Sequence, residues 1–150
     1  MTEELKKDCL RAKALKDYFE EHEVKGFKVL EPKNEGDPTV FHTFLAFKGK
    51  KLPIAIVVDK TVYSLIQVEV MANVVNDDNR EKILELLNTY NLQFKMFNYS
   101  IINKAIVLEC SIIASDSKFE PAIFMAMLGQ IESHLANIYA SLMAELVVES

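Results

Sequence analysis

Hydrophobic and polar positions along this chain change period several times, and each change marks an element. Residues 3–23 carry many charges and a thin apolar stripe, in which Leu5, Cys9, Ala12, Leu15 and Phe19 recur at spacings of three and four. That spacing predicts a helix, and Gly26 is placed to end it. Phe27 to Glu31 reads as a short strand, and the run from Pro32 to Pro38 as a surface loop. From there the period drops to two. Phe41, Leu45 and Phe47 share one parity while His42 and Phe44 share the other, which makes this strand apolar on both faces along part of its length. Leu52 to Val58 is an almost unbroken apolar run, the pattern of a central strand covered on both sides, with Pro53 tolerable near its start. Val62, Ser64, Ile66, Val68, Val70, Ala72 and Val74 then alternate with Tyr63, Gln67, Glu69 and Asn73, predicting one long strand with a buried face and a partly wet one.

Asp78, with Glu81 three residues on, has the form of a helix N-cap and its reciprocal partner. The helix predicted over 78–91 is one-sided through Ile83, Leu84, Leu86, Leu87 and Tyr90, and Asn91 can close it in a left-handed conformation. Two further strands fill 93–113, turning at Ile102-Asn103-Lys104, with Ile106, Leu108, Cys110 and Ile112 facing inward. The last element, 119–147, is the longest helix. Phe119, Ile123, Met127, Ile131, Leu135, Ile138, Leu142 and Leu146 form one stripe, and Phe124, Leu128, Tyr139 and Met143 add a second beside it. Surplus apolar area of this kind implies either deep embedding or a partner.

The order α-β-β-β-β-α-β-β-α predicts an α+β fold, a single antiparallel β-sheet packed with helices. Most connections are too short for parallel crossovers. The β-rich core spans 27–75, and 150 residues fit one domain over 1–150. Half of the residues are hydrophobic and 26% are charged, a globular balance. A net charge of −5 argues against nucleic-acid binding, which depends on clustered cations. Lys48, Lys50 and Lys51 do crowd one turn, where they read as a charged hairpin tip. The N-terminus lacks the apolar core of a signal peptide, and the longest nearly uncharged stretch, Pro121 to Ile131, is too short for a membrane helix. The expectation is a soluble cytoplasmic protein without a membrane partner. Cys9 and Cys110 stand far apart and read as small buried hydrophobes rather than a disulfide framework.

Candidate chemistry changes this picture little. His22, His42 and His134 have no ligand at metal spacing, so neither a metal nor a cofactor is expected. Ser133-His134 lies within a helix, without the turn that exposes a nucleophilic serine. Glu109 beside Cys110 pushes a thiol's pKa upward, the wrong direction for a nucleophile. The glycines at 26, 36, 49 and 129 make no phosphate-cradling loop. Glu20-Glu21 and Asp77-Asp78 read as solvated helix ends, and Glu69 either lines a pocket or sits on an exposed strand face. The six methionines suit an adaptable binding surface, with core filling as the default. No catalytic residue is expected.

One stretch carries a family resemblance. Tyr63-Ser64-Leu65-Ile66, then the run from Asn79 through Leu86-Leu87-Asn88-Thr89-Tyr90 to Asn91, then Phe94-Lys95-Met96-Phe97, resembles the YbjN-type family. These are bacterial proteins described as sensory-transduction regulators, with a fold like that of type III secretion chaperones. Phe119-Glu120-Pro121 leading into a helix with Tyr139 resembles the family's C-terminal part, so the likeness covers roughly 40–145. It implies a type III secretion chaperone-like fold, frequent dimers and no enzymatic activity. The expected function is a non-enzymatic chaperone-like or regulatory homodimer that engages a protein or peptide segment. Phe124, Met127, Leu128 and Tyr139 on the last helix, with Tyr63 and Gln67 on the sheet, are the expected contacts. The alternative is a small-molecule-sensing domain with a pocket between sheet and helices.

Overall fold

The structure, a computed structural model, describes residues 10–147. In chain order these form helix α1 (Leu10–Glu21), strands β1 (Lys28–Leu30), β2 (Thr39–Phe47), β3 (Lys50–Val58) and β4 (Tyr63–Met71), and helix α2 (Arg80–Gln93). Strands β5 (Asn98–Ile102) and β6 (Ala105–Ile113), a short 3-10 turn at Asp116–Lys118 and helix α3 (Pro121–Val147) complete them. The fold is α+β: a six-stranded, wholly antiparallel sheet in the order β1-β2-β3-β4-β6-β5, with the predicted α-β-β-β-β-α-β-β-α succession. Cys9 and the predicted helical residues 3–9 lie outside the described residues. The chain divides into two compact units after Phe119.

In the first unit, alternation along the strands sends one set of side chains into a core. Phe41, Ile54, Ile56, Val58, Ile66, Val68, Leu108 and Cys110 are buried, and the register places them on a single face. Helix α1 lays Ala12, Leu15 and Phe19 on this face, where Phe19 meets Phe41 edge-on at 5.7 Å and stacks on Phe27 at 4.4 Å. Helix α2 contributes Ile83, Leu87 and Tyr90, whose ring is 5.3 Å from that of Tyr99. Arg11 fastens α1 to the ends of the sheet. Its side chain is only 3% exposed and donates to the carbonyls of Asp59 at 2.7 Å and Ala114 at 3.0 Å. Its Nε lies 3.4 Å from the Asp116 carboxylate, close enough for attraction but out of line for a hydrogen bond.

The structure relocates three local signals. Helix α1 ends at Glu21 and is closed by Glu23, not Gly26: Val24 N–H donates to the Phe19 carbonyl and Glu23 N–H to that of Glu20, while Glu23 takes a left-handed φ of 52°. Helix α2 begins after Asn79, without a side-chain cap from Asp78. Asn76 Oδ1 instead accepts from the backbone of Asp78 and Asn79, and Asn79 binds back to Asn76 and Val74, a local turn that competes successfully with a conventional cap. Asn91 lies inside the helix, which runs on to Gln93 and ends at an extended Phe94. Its amide donates to the Tyr99 carbonyl at 3.0 Å and accepts from the Tyr99 N–H at 2.6 Å. A side chain thus pairs with the outer edge of β5, satisfying groups that an edge strand would otherwise leave open.

The second unit is described here by helix α3. Phe124, Ile131, His134, Leu135, Ile138, Tyr139 and Leu142 are buried along it, whereas Ile123 stays exposed and Met127 and Leu128 half-buried. Among the described residues, no helix is long and apolar enough to cross a membrane.

Candidate functional site: the open face of the sheet

The second face of the sheet takes the opposite parity. Cross-strand partners share a face in an antiparallel sheet, so the register resolves it into rows. One row runs across every strand: Lys28, His42, Ala55, Gln67, Glu109 and Asn98. Beside it runs Leu30, Val40, Val57, Leu65 and Ser111, followed at that end of the sheet by Tyr63 and Ile113. On the other side, Phe44 pairs with Pro53, and Glu69 with Val107 and then Ser100.

This face is wet yet largely apolar. Phe44 is 63% exposed, Tyr63 60% and Ile113 71%, with Leu30 and Pro53 exposed and Val40, Val57 and Leu65 half-buried. The apolar run of β3 is therefore not covered on both sides as its sequence suggests. Composition alone does not distinguish double coverage from an open apolar face. Grouped exposed apolar side chains of this kind mark interaction surfaces more often than isolated ones do.

A hollow of about 570 Å³ opens on the same face, lined by His42, Ala55, Gln67, Glu69, Lys104 and Val107, among others. It exists because short side chains (Ala55 and Ala105 with Val107) form its floor while longer ones stand around it. The register of β4 against β6 slips between Glu69 and Met71, and Asn73 turns the chain at φ 55°. Such a bulge strengthens the local twist and re-aims side chains at a strand's end. Gln67 Nε2 donates to Glu109 Oε1 at 2.8 Å across the strands. The carboxylate of Glu69 has no hydrogen-bond or ion-pair partner among the described residues.

The sequence-derived contact residues divide between the two units. Tyr63 and Gln67 lie two rows apart on the open face. Phe124 and Tyr139, on α3, are buried, and Met127 and Leu128 are half-buried. Sequence reasoning missed Phe44, Leu65 and Ile113 as surface residues. The usable signal was the parity of Tyr63, which they share through the register.

Reactive groups are quiet. Burial pushes the Cys110 thiol pKa up, and burial together with neighbouring Tyr90 does the same to the Tyr99 phenol. Burial lowers the pKa of His134. Among the described residues, no group of three His, Cys, Asp or Glu side chains is placed to hold a metal ion. No protein-family model matches the chain, and a comparison with curated proteins finds no match either.

Proposed function

We propose that this chain is a non-enzymatic cytoplasmic binding protein, chaperone-like or regulatory and akin to the YbjN-type proteins it resembles. It holds an extended protein segment on the open face of its sheet and works as a homodimer. The observation that carries this reading is the exposed apolar surface on that face: Tyr63 and Ile113 beside the Val57–Leu65 row at one end, and Phe44 with Pro53 at the other, beyond the row of His42, Gln67 and Glu109. An extended segment repeats its side chains every two residues, about 6.8 Å, which is also the spacing of successive rows along these strands. On a sheet face the main-chain groups are already paired within the sheet, so recognition there rests on alternate side-chain contacts. The incompletely buried Ile123, Met127 and Leu128 support the homodimer.

A photoreactive residue placed at Tyr63 and, in a separate variant, at exposed Asp17 on α1 tests the reading inside the native cell. A discrete protein adduct at position 63 and none at 17 is expected; equal labelling at both sites contradicts it. Light scattering at micromolar concentration tests the dimer, and a monomeric mass removes that part of the proposal. The hollow favours a second reading, a small-molecule sensor, although its lining comes from strands and turns rather than from sheet and helix. A metabolite library screened by thermal shift separates the two, because a ligand bound only by the folded state raises the melting point.

A further inference from the structure

The segment-binding reading leaves the chemistry of the segment open, and the charges on the open face narrow it. We propose that the bound segment carries two apolar side chains, two residues apart, and a Lys or Arg four residues beyond the second. This rests on the reading above and adds the anchor.

The geometry is a ladder along the β4–β6 pair. Its rungs are Tyr63 with Ile113, Leu65 with Ser111, Gln67 with Glu109, and Glu69 with Val107. A segment lying along these two strands meets apolar surface at its first rung and at Leu65 on its second. On the third rung it meets the Gln67–Glu109 pair, whose hydrogen bond leaves the carboxylate's remaining acceptor sites for a polar side chain. On the fourth it reaches the hollow, where an alanine-rich floor gives room for a long side chain beside the unpartnered Glu69 carboxylate. Lys and Arg have the required form, an apolar stem to lie along the hollow beside Ala55 and a cationic head for the carboxylate. Both carboxylates of the ladder stand on β4 and β6. Of the cations on the face, Lys28 on β1 and Lys51 on β3 stand apart from the ladder, while Lys104, on the exposed β5–β6 turn, lines the hollow with Glu69. A segment bearing an acid at the fourth rung meets like charge from Glu69 and Glu109.

Three synthetic peptides, Ser-Val-Ser-Val-Ser-Asn-Ser-Xaa-Ser with Xaa as Arg, Leu or Glu, provide the test. Each is titrated into the isotope-labelled full chain while amide NMR shifts are followed. The Arg peptide is expected to bind about fivefold tighter than the Glu peptide, a partly exposed ion pair's worth of preference. Its shifts should fall on residues 63–69 and 107–113, and the preference should shrink as salt is raised. In Glu69→Gln, the Arg and Glu peptides should bind within about twofold of one another, with the Leu peptide unchanged, since the ion pair behind the preference is gone. Equal binding of all three peptides to the unaltered protein, or tighter binding of the Glu peptide, overturns the basic anchor while leaving segment binding intact. Absence of saturable shifts with any peptide overturns both.

Discussion

The two faces of one sheet, built from the same strands, do different work. On one face Phe41, Ile56, Ile66 and Leu108 are fully buried, with α1 and α2 laid over them. On the other, side chains of comparable hydrophobicity (Phe44, Tyr63 and Ile113) stand in water. The first arrangement yields stability, because burial of a large apolar side chain is worth about 1.5–3 kcal/mol. The second forgoes that gain, and the same free energy remains available for association. Similar residue types therefore divide between core and surface largely by parity.

Substitutions break or sharpen this contrast. The largest effect is expected from Phe41→Ala on the buried face, about 3–5 kcal/mol of lost stability in chemical denaturation. Phe44→Ala, the same change on the open face, should stay within about 0.5 kcal/mol. Equal losses would erase the distinction between the faces. Next comes Asn91→Ala, which strips both hydrogen bonds from the outer edge of β5 and should cost about 1–3 kcal/mol by the same measurement. Hydrogen exchange at the Tyr99 amide should accelerate with it. The smallest effect has the opposite sign: Glu23→Gly relieves a left-handed backbone and should stabilise α1 by up to about 1 kcal/mol, read as a higher melting temperature.

Acid sharpens the comparison from the second unit. Burial holds the folded pKa of His134 below its unfolded value of about 6.5, so the unfolded chain binds the extra proton first. This contribution to stability is complete above that pH and is lost as the pH falls from there through the lowered folded value. His134→Gln should flatten that part of the stability–pH curve, measured by denaturation between pH 7 and pH 4.

Element order and inward parity were legible because period two and period 3.6 leave distinct traces, as in Ser64, Ile66 and Val68 against Tyr63, Gln67 and Glu69. The helix boundaries were less so. Asp78 and Asn91 resemble caps in sequence, yet Asn79 takes the first position and Asn91 serves a strand edge, since an amide side chain can donate to or accept from whichever backbone partner the fold brings near. Glu23 gave no sign that it would take a left-handed conformation. The candidate site was only half legible. Tyr63 and Gln67 could be placed on a wet strand face, but the rows joining them to Phe44, Leu65 and Ile113 depend on the strand register and order, which short-range patterns do not encode. The hollow is harder still, because it arises from short side chains on two different strands meeting near a bulge.

The central claim is that the open face binds and does not hold the fold together. The most direct test is the double substitution Tyr63→Ser with Ile113→Ser, followed by melting temperature and affinity for the Arg-bearing peptide measured on the same preparation. The account predicts a melting temperature within a few degrees of the unaltered protein and an affinity reduced about tenfold or more, since two apolar contacts at the first rung are gone. An unchanged affinity with an intact fold would contradict it.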